Sequence, residues 1–334
     1  MPYQITLLPG DGIGPEVIAA AETVLRALPL EWTFTRAEIG LGAYERLGTP
    51  LPESTLEAIR QSDAALFGAV TTPPNLPGYF SPVVRMRQAL DLYANLRPNR
   101  SLPHPSSRQG IDLVIVRENT EGLYSGLERV EDNGNRAITE RVITRRGSER
   151  IVRKAFDLAR QTGRTRVHLV HKANILRQTC GLFRRVALDV AAAYPDIELA
   201  EMLVDTCAME LIRAPEQFQV IVTTNLFGDI LSDEACMLVG GLGVAASGNI
   251  GAEAAVFEPV HGSAPPLVGT GKANPTAAFF AAAMMLEYLG EAQSAVRLRN
   301  AVITCIAAGE TTPDLGGTLT TSEMTEAVKS RMMN

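Results

Sequence analysis

Cysteine is scarce in this chain of 334 residues, which has only Cys180, Cys207, Cys236 and Cys305. No two of them form a CxxC pair, and their spacing resembles neither the disulfide framework of a small secreted fold nor a zinc ligand set. Four reduced thiols in a cytoplasmic protein are therefore expected. Histidine is equally sparse. His168 and His171 lie three apart in an apolar run, and on a strand that spacing points them to opposite faces, so strand packing is favoured over a shared metal. The longest apolar run near the C-terminus, Ala277 to Leu286, is about half a membrane span and reads as a buried helix, so no membrane segment is expected. Gly10 and Asp11 come too early for a signal peptide. Excess positive charge is also missing: 31 Lys and Arg against 37 Asp and Glu give a net charge of −6, which argues against a nucleic-acid footprint. Internal repeats, low-complexity tracts and long linkers are absent as well.

What is present is ordinary globular composition, 46% apolar and 20% charged, on a chain long enough to bury a core in two domains. Strands expected at Ile5 to Leu8, Ala64 to Gly68, Leu113 to Val116, Val167 to Val170 and Val220 to Thr223 alternate with helical patterns. That alternation predicts an α/β fold with parallel-rich sheets and helices on both faces. The turn after the first strand carries Gly10, Gly12 and Gly14 and leads into a helix expected over Val17 to Leu28. A dinucleotide fingerprint places its third glycine one residue later and follows with an acidic residue at the end of a second strand, so a standard Rossmann site is not supported.

Chemistry concentrates in a few segments. Asp229 and Asp233 lie four apart in Asn225-Leu-Phe-Gly-Asp-Ile-Leu-Ser-Asp233, so a helix brings two carboxylates onto one face with no basic residue between them. An exposed acidic face would account for the pair alone. With Asp205 upstream they could instead form an all-oxygen site for magnesium or manganese, the trio having no other charge to neutralise it. Val116-Arg-Glu-Asn-Thr-Glu-Gly-Leu-Tyr-Ser-Gly126 groups charged, amide and phenol side chains directly after an apolar strand. Arg166 to His171 is a strand that delivers Lys172 and Asn174 at its end. Val256-Phe-Glu-Pro-Val-His-Gly-Ser-Ala-Pro265, with Gly269, Gly271 and Asn274, is a loop rich in backbone N–H groups that suits a phosphate-bearing ligand.

Taken together these segments resemble the isocitrate/isopropylmalate dehydrogenase family over nearly the whole chain, from the Gly-Asp-Gly-Ile-Gly turn to Thr312-Pro-Asp-Leu-Gly-Gly317. They are most similar to its homoisocitrate and NAD-linked isocitrate branch. The resemblance implies two domains: a discontinuous large cofactor domain from residues 1–99 and 253–334, and a small domain, 100–252, carrying the metal site and the dimer contact with an arm near 127–146. It implies metal-dependent oxidative β-decarboxylation of a 2-hydroxy acid in a cleft between domains that is shared between the subunits of a homodimer, or of a tetramer. Arg87, Arg97 and Arg117 match the family's three arginines that bind the malate moiety; Asp205, Asp229 and Asp233 match its metal ligands, with Asp205 also facing the substrate beside Asn174. Lys172 corresponds to the base for the hydroxyl proton and Tyr124 to the acid that protonates the enol. Lys172 and Asp205 would come from the neighbouring subunit. His261, Gly262, Ser263, Ala264 and Asn274 match the adenine side of the cofactor site. Pro266-Leu267 replaces both the Asp-Ile of NAD-using relatives and the Lys-Tyr of many NADP-using ones, and NAD is favoured because nothing there welcomes a 2′-phosphate.

Substrate choice is expected in Tyr79-Phe-Ser-Pro-Val-Val-Arg-Met-Arg87. Ser81 and Pro82 should cap and start a helix, with Val83 and Val84 sharing the face of Arg87 while Arg85 points elsewhere. Val83 stands where isocitrate enzymes typically have asparagine, so homoisocitrate is expected as substrate alongside or ahead of isocitrate. The alternative is 3-isopropylmalate, whose isopropyl group two valines would suit. A non-catalytic regulatory subunit of the same family is the alternative from another class.

Overall fold

The computed structural model describes residues 1–73 and 76–333. Its strands, in chain order, are β1 (Tyr3–Gly10), β2 (Trp32–Arg36), β3 (Ala64–Ala69), β4 (Ala94–Arg100), β5 (Asp112–Glu118), β6 (Glu128–Glu131), β7 (Arg136–Thr139), β8 (Arg166–His171), β9 (Glu198–Leu203), β10 (Val220–Thr223), β11 (Ala246–Ile250) and β12 (Ala255–Pro259). They belong to two compact units. The first takes both ends of the chain, Met1–Asp91 and Val239–Asn334, together with Ser101–Gln109; the second is Leu92–Arg100 with Gly110–Leu238.

In the first unit the strands run in the order β2-β1-β3-β12-β11, parallel except for the hairpin pairing of β11 with β12. In the second the order is β4-β5-β10-β8-β9, again parallel except where β4 meets β5. These two antiparallel pairs decide where the units divide. Strand β4 goes with the second unit because it pairs with β5 along its whole length, from Ala94 opposite Glu118 to Arg100 opposite Asp112. Strand β11 goes with the first because it pairs with β12, from Ala246 opposite Pro259 to Ile250 opposite Ala255. The division thus falls after Asp91 and after Leu238, with Ser101–Gln109 returning to the first unit, where the family resemblance implied breaks at 99/100 and 252/253.

Every residue of β3, β10 and β12 is buried, as expected for strands covered by helices on both faces. The helix Thr276–Tyr288 is apolar nearly all round, and nine of its residues are buried, so it is the core helix that the run Ala277 to Leu286 predicted. The first helix, Gly14–Arg26, starts before the expected Val17 because Pro15 sits in its first turn, where a missing N–H breaks no bond and a fixed φ suits the helix. All four cysteines are free and buried. Among the described residues no helix is long and apolar enough to cross a membrane. In the arm, β6 and β7 pair antiparallel from Glu128 opposite Thr139 to Glu131 opposite Arg136.

Candidate functional site

The helix Asn225–Leu238 follows β10 directly, and its first turns meet side chains from two other strands of the second unit. Arg97 comes from β4 and Arg117 from β5; both guanidinium groups are buried. Arg117 donates to the backbone carbonyl of Asn225 at 3.0 Å and to the side-chain oxygen of Asn225 at 2.7 Å, and its Nη1 meets Asp229 at 2.5 Å. Arg97 donates to Asp233 at 3.0 Å and to Ser232 at 2.7 Å, and approaches Asp229 at 3.3 Å. Asn95, two residues back on the same strand face, accepts from Arg97 Nε at 2.7 Å and fixes the fork. Helix spacing thus does place both carboxylates on one face, as the sequence predicted. The expectation that they lack any other countercharge is corrected: Arg97 bridges the pair and Arg117 holds Asp229, because strand residues distant in sequence bring in the cations.

Close approach makes this arrangement possible. A Cβ on Gly228 would lie 2.6 Å from Arg117 Cγ, so the Leu-Phe-Gly-Asp stretch needs glycine for the arginine stem to lie against the helix. Tyr124, in the short turn Leu123–Ser125, donates its hydroxyl to Asp229 at 2.7 Å and lies under the Arg117 guanidinium. Burial and the hydrogen bond to the Asp229 carboxylate raise the Tyr124 pKa, so its proton stays on at neutral pH. Burial also raises the Asp233 carboxyl, while Arg97 pulls it down. Asn95, Asn225 and Ser232, which sequence reasoning assigned no role, help aim the two arginines.

A second group lies at the end of β8. Lys172 donates to Asp205 at 2.5 Å, and this pairing holds the Asp205 carboxyl below the usual range. Asp205 opens the helix Val204–Arg213 and is exposed, as is Asn174 in the turn after Lys172. Among the described residues no three His, Cys, Asp or Glu side chains are gathered as a metal site. One chain therefore offers the Asp229 and Asp233 pair without Asp205. Oxygen donors of this type suit a hard divalent cation such as magnesium or manganese, and both carboxylates lie against the Arg97 guanidinium.

The remaining expected residues lie in the first unit. Ser81 caps the helix Pro82–Ala89, with Val83 and Val84 half-buried; Arg85 is exposed and stacks on Phe80. Arg87 is buried and donates to Glu258 at 2.8 Å, a carboxylate that also accepts from Asn249 at 2.8 Å. Among the described residues no hydrogen-bond partner reaches the buried Arg87 Nε. Ser263 anchors the expected cofactor loop: its carbonyl accepts from Ile13 N–H at 2.9 Å and its hydroxyl from Thr71 at 2.7 Å. Gly12, at φ +63°, passes so close that a Cβ would lie 2.0 Å from the Ser263 carbonyl oxygen, so this glycine packs the turn against the loop. Asp11 ties the neighbourhood together by accepting from the N–H groups of Leu41, Gly42 and Thr71. His261 keeps a buried Nε2 that has no partner among the described residues, and burial lowers its pKa, leaving a neutral ring. Gly262 is exposed, Ala264 is left-handed at φ +41°, and Asn274 donates to Asp314 at 2.8 Å. An orphaned neutral imidazole nitrogen beside open backbone fits the adenine side of a dinucleotide.

Comparison with known proteins gives a single answer. Residues 4–328 match the family model described as isocitrate/isopropylmalate dehydrogenase. The chain is 53% identical over 329 residues to an isocitrate/homoisocitrate dehydrogenase of Thermus thermophilus, covering 98% of each chain. It is 48% identical over 322 residues to a 3-isopropylmalate dehydrogenase of Methanothermobacter thermautotrophicus, covering 96% of each. The crystal structure of isocitrate dehydrogenase from Methylococcus capsulatus superposes with a TM-score of 0.96 at 47% identity, over 99% of this chain and 100% of that one.

Proposed function

Since the chain belongs to the isocitrate/isopropylmalate dehydrogenase family, we propose that it carries out metal-dependent, NAD-linked oxidative β-decarboxylation of a 2-hydroxy acid, with homoisocitrate or isocitrate as substrate. The observation that carries this reading is the cluster in which Arg97 bridges Asp229 and Asp233 while the Tyr124 hydroxyl rests on Asp229. Asp229 and Asp233, with Asp205 from a second copy of the chain, would hold a divalent ion, which would supply Lewis acidity to the substrate hydroxyl, and NAD would supply the hydride acceptor. Arg87, Arg97 and Arg117 grip substrate carboxylates through planar, charge-assisted hydrogen bonds, exchanging part of their present carboxylate contacts for the ligand's. Asn174 adds a neutral hydrogen-bonding group. Lys172, released from Asp205 and in its neutral form, takes the proton of the hydroxyl as hydride leaves the same carbon. Once carbon dioxide has left the resulting β-keto acid, Tyr124 returns a proton to the enol carbon, a role that suits a phenol held protonated at neutral pH. His261, Gly262, Ser263, Ala264 and Asn274 hold the adenine side of NAD. Ser81, Val83 and Val84 face the variable end of the substrate.

The reading includes a homodimer with shared sites. Asp205 lies in a stripe with exposed Met209 and Ile212 on one helix, and Asp233 with exposed Ile230 and Met237 on the next. Apolar surface beside exposed catalytic carboxylates supports burial against a second copy. Four buried free thiols support a cytoplasmic setting.

The half-buried valines on the Arg87 helix favour 3-isopropylmalate as a second reading. Measuring NADH formation with homoisocitrate, isocitrate, 3-isopropylmalate and D-malate, with magnesium or manganese, decides between them. Highest kcat/KM on homoisocitrate or isocitrate supports the proposal. Preference for 3-isopropylmalate overturns the substrate, and binding without turnover makes the protein a regulatory subunit.

A further inference from the structure

We infer that His171 is a positioning residue that fixes the backbone from which Lys172 projects; this rests on the role proposed for Lys172. The Lys172–Ala173 peptide unit is held at both ends. Its N–H, from Ala173, donates to His171 Nδ1 at 3.2 Å. Its carbonyl, from Lys172, accepts from Ile175 N–H at 3.1 Å and Leu176 N–H at 2.8 Å. With both ends bonded, the turn that leaves β8 has little freedom at the torsions that aim the lysine, and the Nζ comes to rest on Asp205.

The ring itself is clamped. His171 is buried at the last position of β8, and its Nε2 meets Glu201 on the adjacent β9 at 3.3 Å. Glu201 is gripped in turn by Arg184, with its Oε1 2.9 Å from Nη2. With Nδ1 accepting, Nε2 is left as the ring's donor, and Glu201 fixes that arrangement by offering only an acceptor. The connection therefore runs from Arg184 through Glu201 and His171 to the peptide beneath the catalytic amine. All of these residues belong to the second unit. The arrangement makes His171 more than strand packing: a phenyl ring of similar size would fill the same space but leave the Ala173 N–H without its acceptor.

Two variants separate these roles. His171→Asn keeps an acceptor at the place of Nδ1, and His171→Phe keeps ring bulk without one. The expected result is a kcat about 10- to 100-fold lower in His171→Phe, the size expected when a reacting group is misplaced by about an ångström, with KM for the 2-hydroxy acid changed by less than about threefold and with kcat largely restored in His171→Asn. Thermal melting of each variant identifies general unfolding. A folded His171→Phe with unchanged kcat, or equal loss in both variants, overturns the inference. Wild-type protein that oxidises no 2-hydroxy acid would instead overturn the proposed function and is read separately, before any variant.

Discussion

The arginine–aspartate cluster and the lysine–aspartate pair are built to opposite specifications. Arg117 has only 1% of its side chain exposed and is met by Asn225, Asp229 and Tyr124. The Lys172 and Asp205 side chains are 24% and 63% exposed and lean on each other. A buried guanidinium demands hydrogen-bonding partners from its own chain, because an uncompensated buried charge costs several kcal/mol. An exposed pair makes no such demand, and water screens it to little net stability. Removing one partner from the cluster would therefore strand a buried charge, whereas the pair contributes little to folding.

The largest expected effect tests the cluster. Asp229→Asn keeps volume and hydrogen bonding but removes a charge, and should lower kcat/KM by at least about 100-fold; EDTA should abolish turnover of the wild type, and magnesium or manganese should restore it. Full activity in metal-stripped protein would refute the aspartate assignment. Lys172→Met and Tyr124→Phe should then divide the reaction: the first stops NADH formation from the 2-hydroxy acid, while the second slows enol protonation and leaves oxidation measurable, each by roughly 100-fold in its own half-reaction. Supplying the keto-acid intermediate separates the two.

Smaller effects sharpen the contrast in stability. Gly228→Ala drives a methyl into the buried Arg117 stem and should destabilise the fold by about 1–3 kcal/mol, whereas Asp205→Ala should leave monomer stability within about 0.5 kcal/mol, as denaturant titration would reveal. A pH-dependent effect concerns His168, buried against Phe218 and depressed to about 4 by burial and the nearby Arg166. Its folded pKa lies below the unfolded value, so the unfolded state binds the extra proton first. Its contribution is complete above about pH 6.5 and disappears as pH falls through about 4, a loss on the order of 2 kcal/mol that His168→Leu should flatten.

Periodicity and local spacing made much of this legible. The strands at Ile5, Ala64, Leu113, Val167 and Val220, the Ser81 cap and the core helix at Ala277 all follow from patterns within a few residues. The face shared by Asp229 and Asp233 follows from helix geometry. What the sequence hid was pairing across distance. Nothing near Asp229 announces Arg97, 132 positions away in sequence, or the Arg117 fork closed by Asn225, and the union of β4 with β5 that divides the units is likewise a long-range fact. Gly228 was visible as a letter, but its reason, an arginine stem against its Cα, required the fold.

Complementation tests the central claim, that each site is completed by a second copy, most directly. Lys172→Met and Asp229→Asn are each expected to be inactive alone, and co-expression or mixing with subunit exchange should form hybrids with one intact site. Random pairing predicts recovery of roughly a quarter of wild-type activity. No recovery, in preparations shown to contain hybrid dimers, would mean that Lys172 and Asp229 serve the same site from one chain.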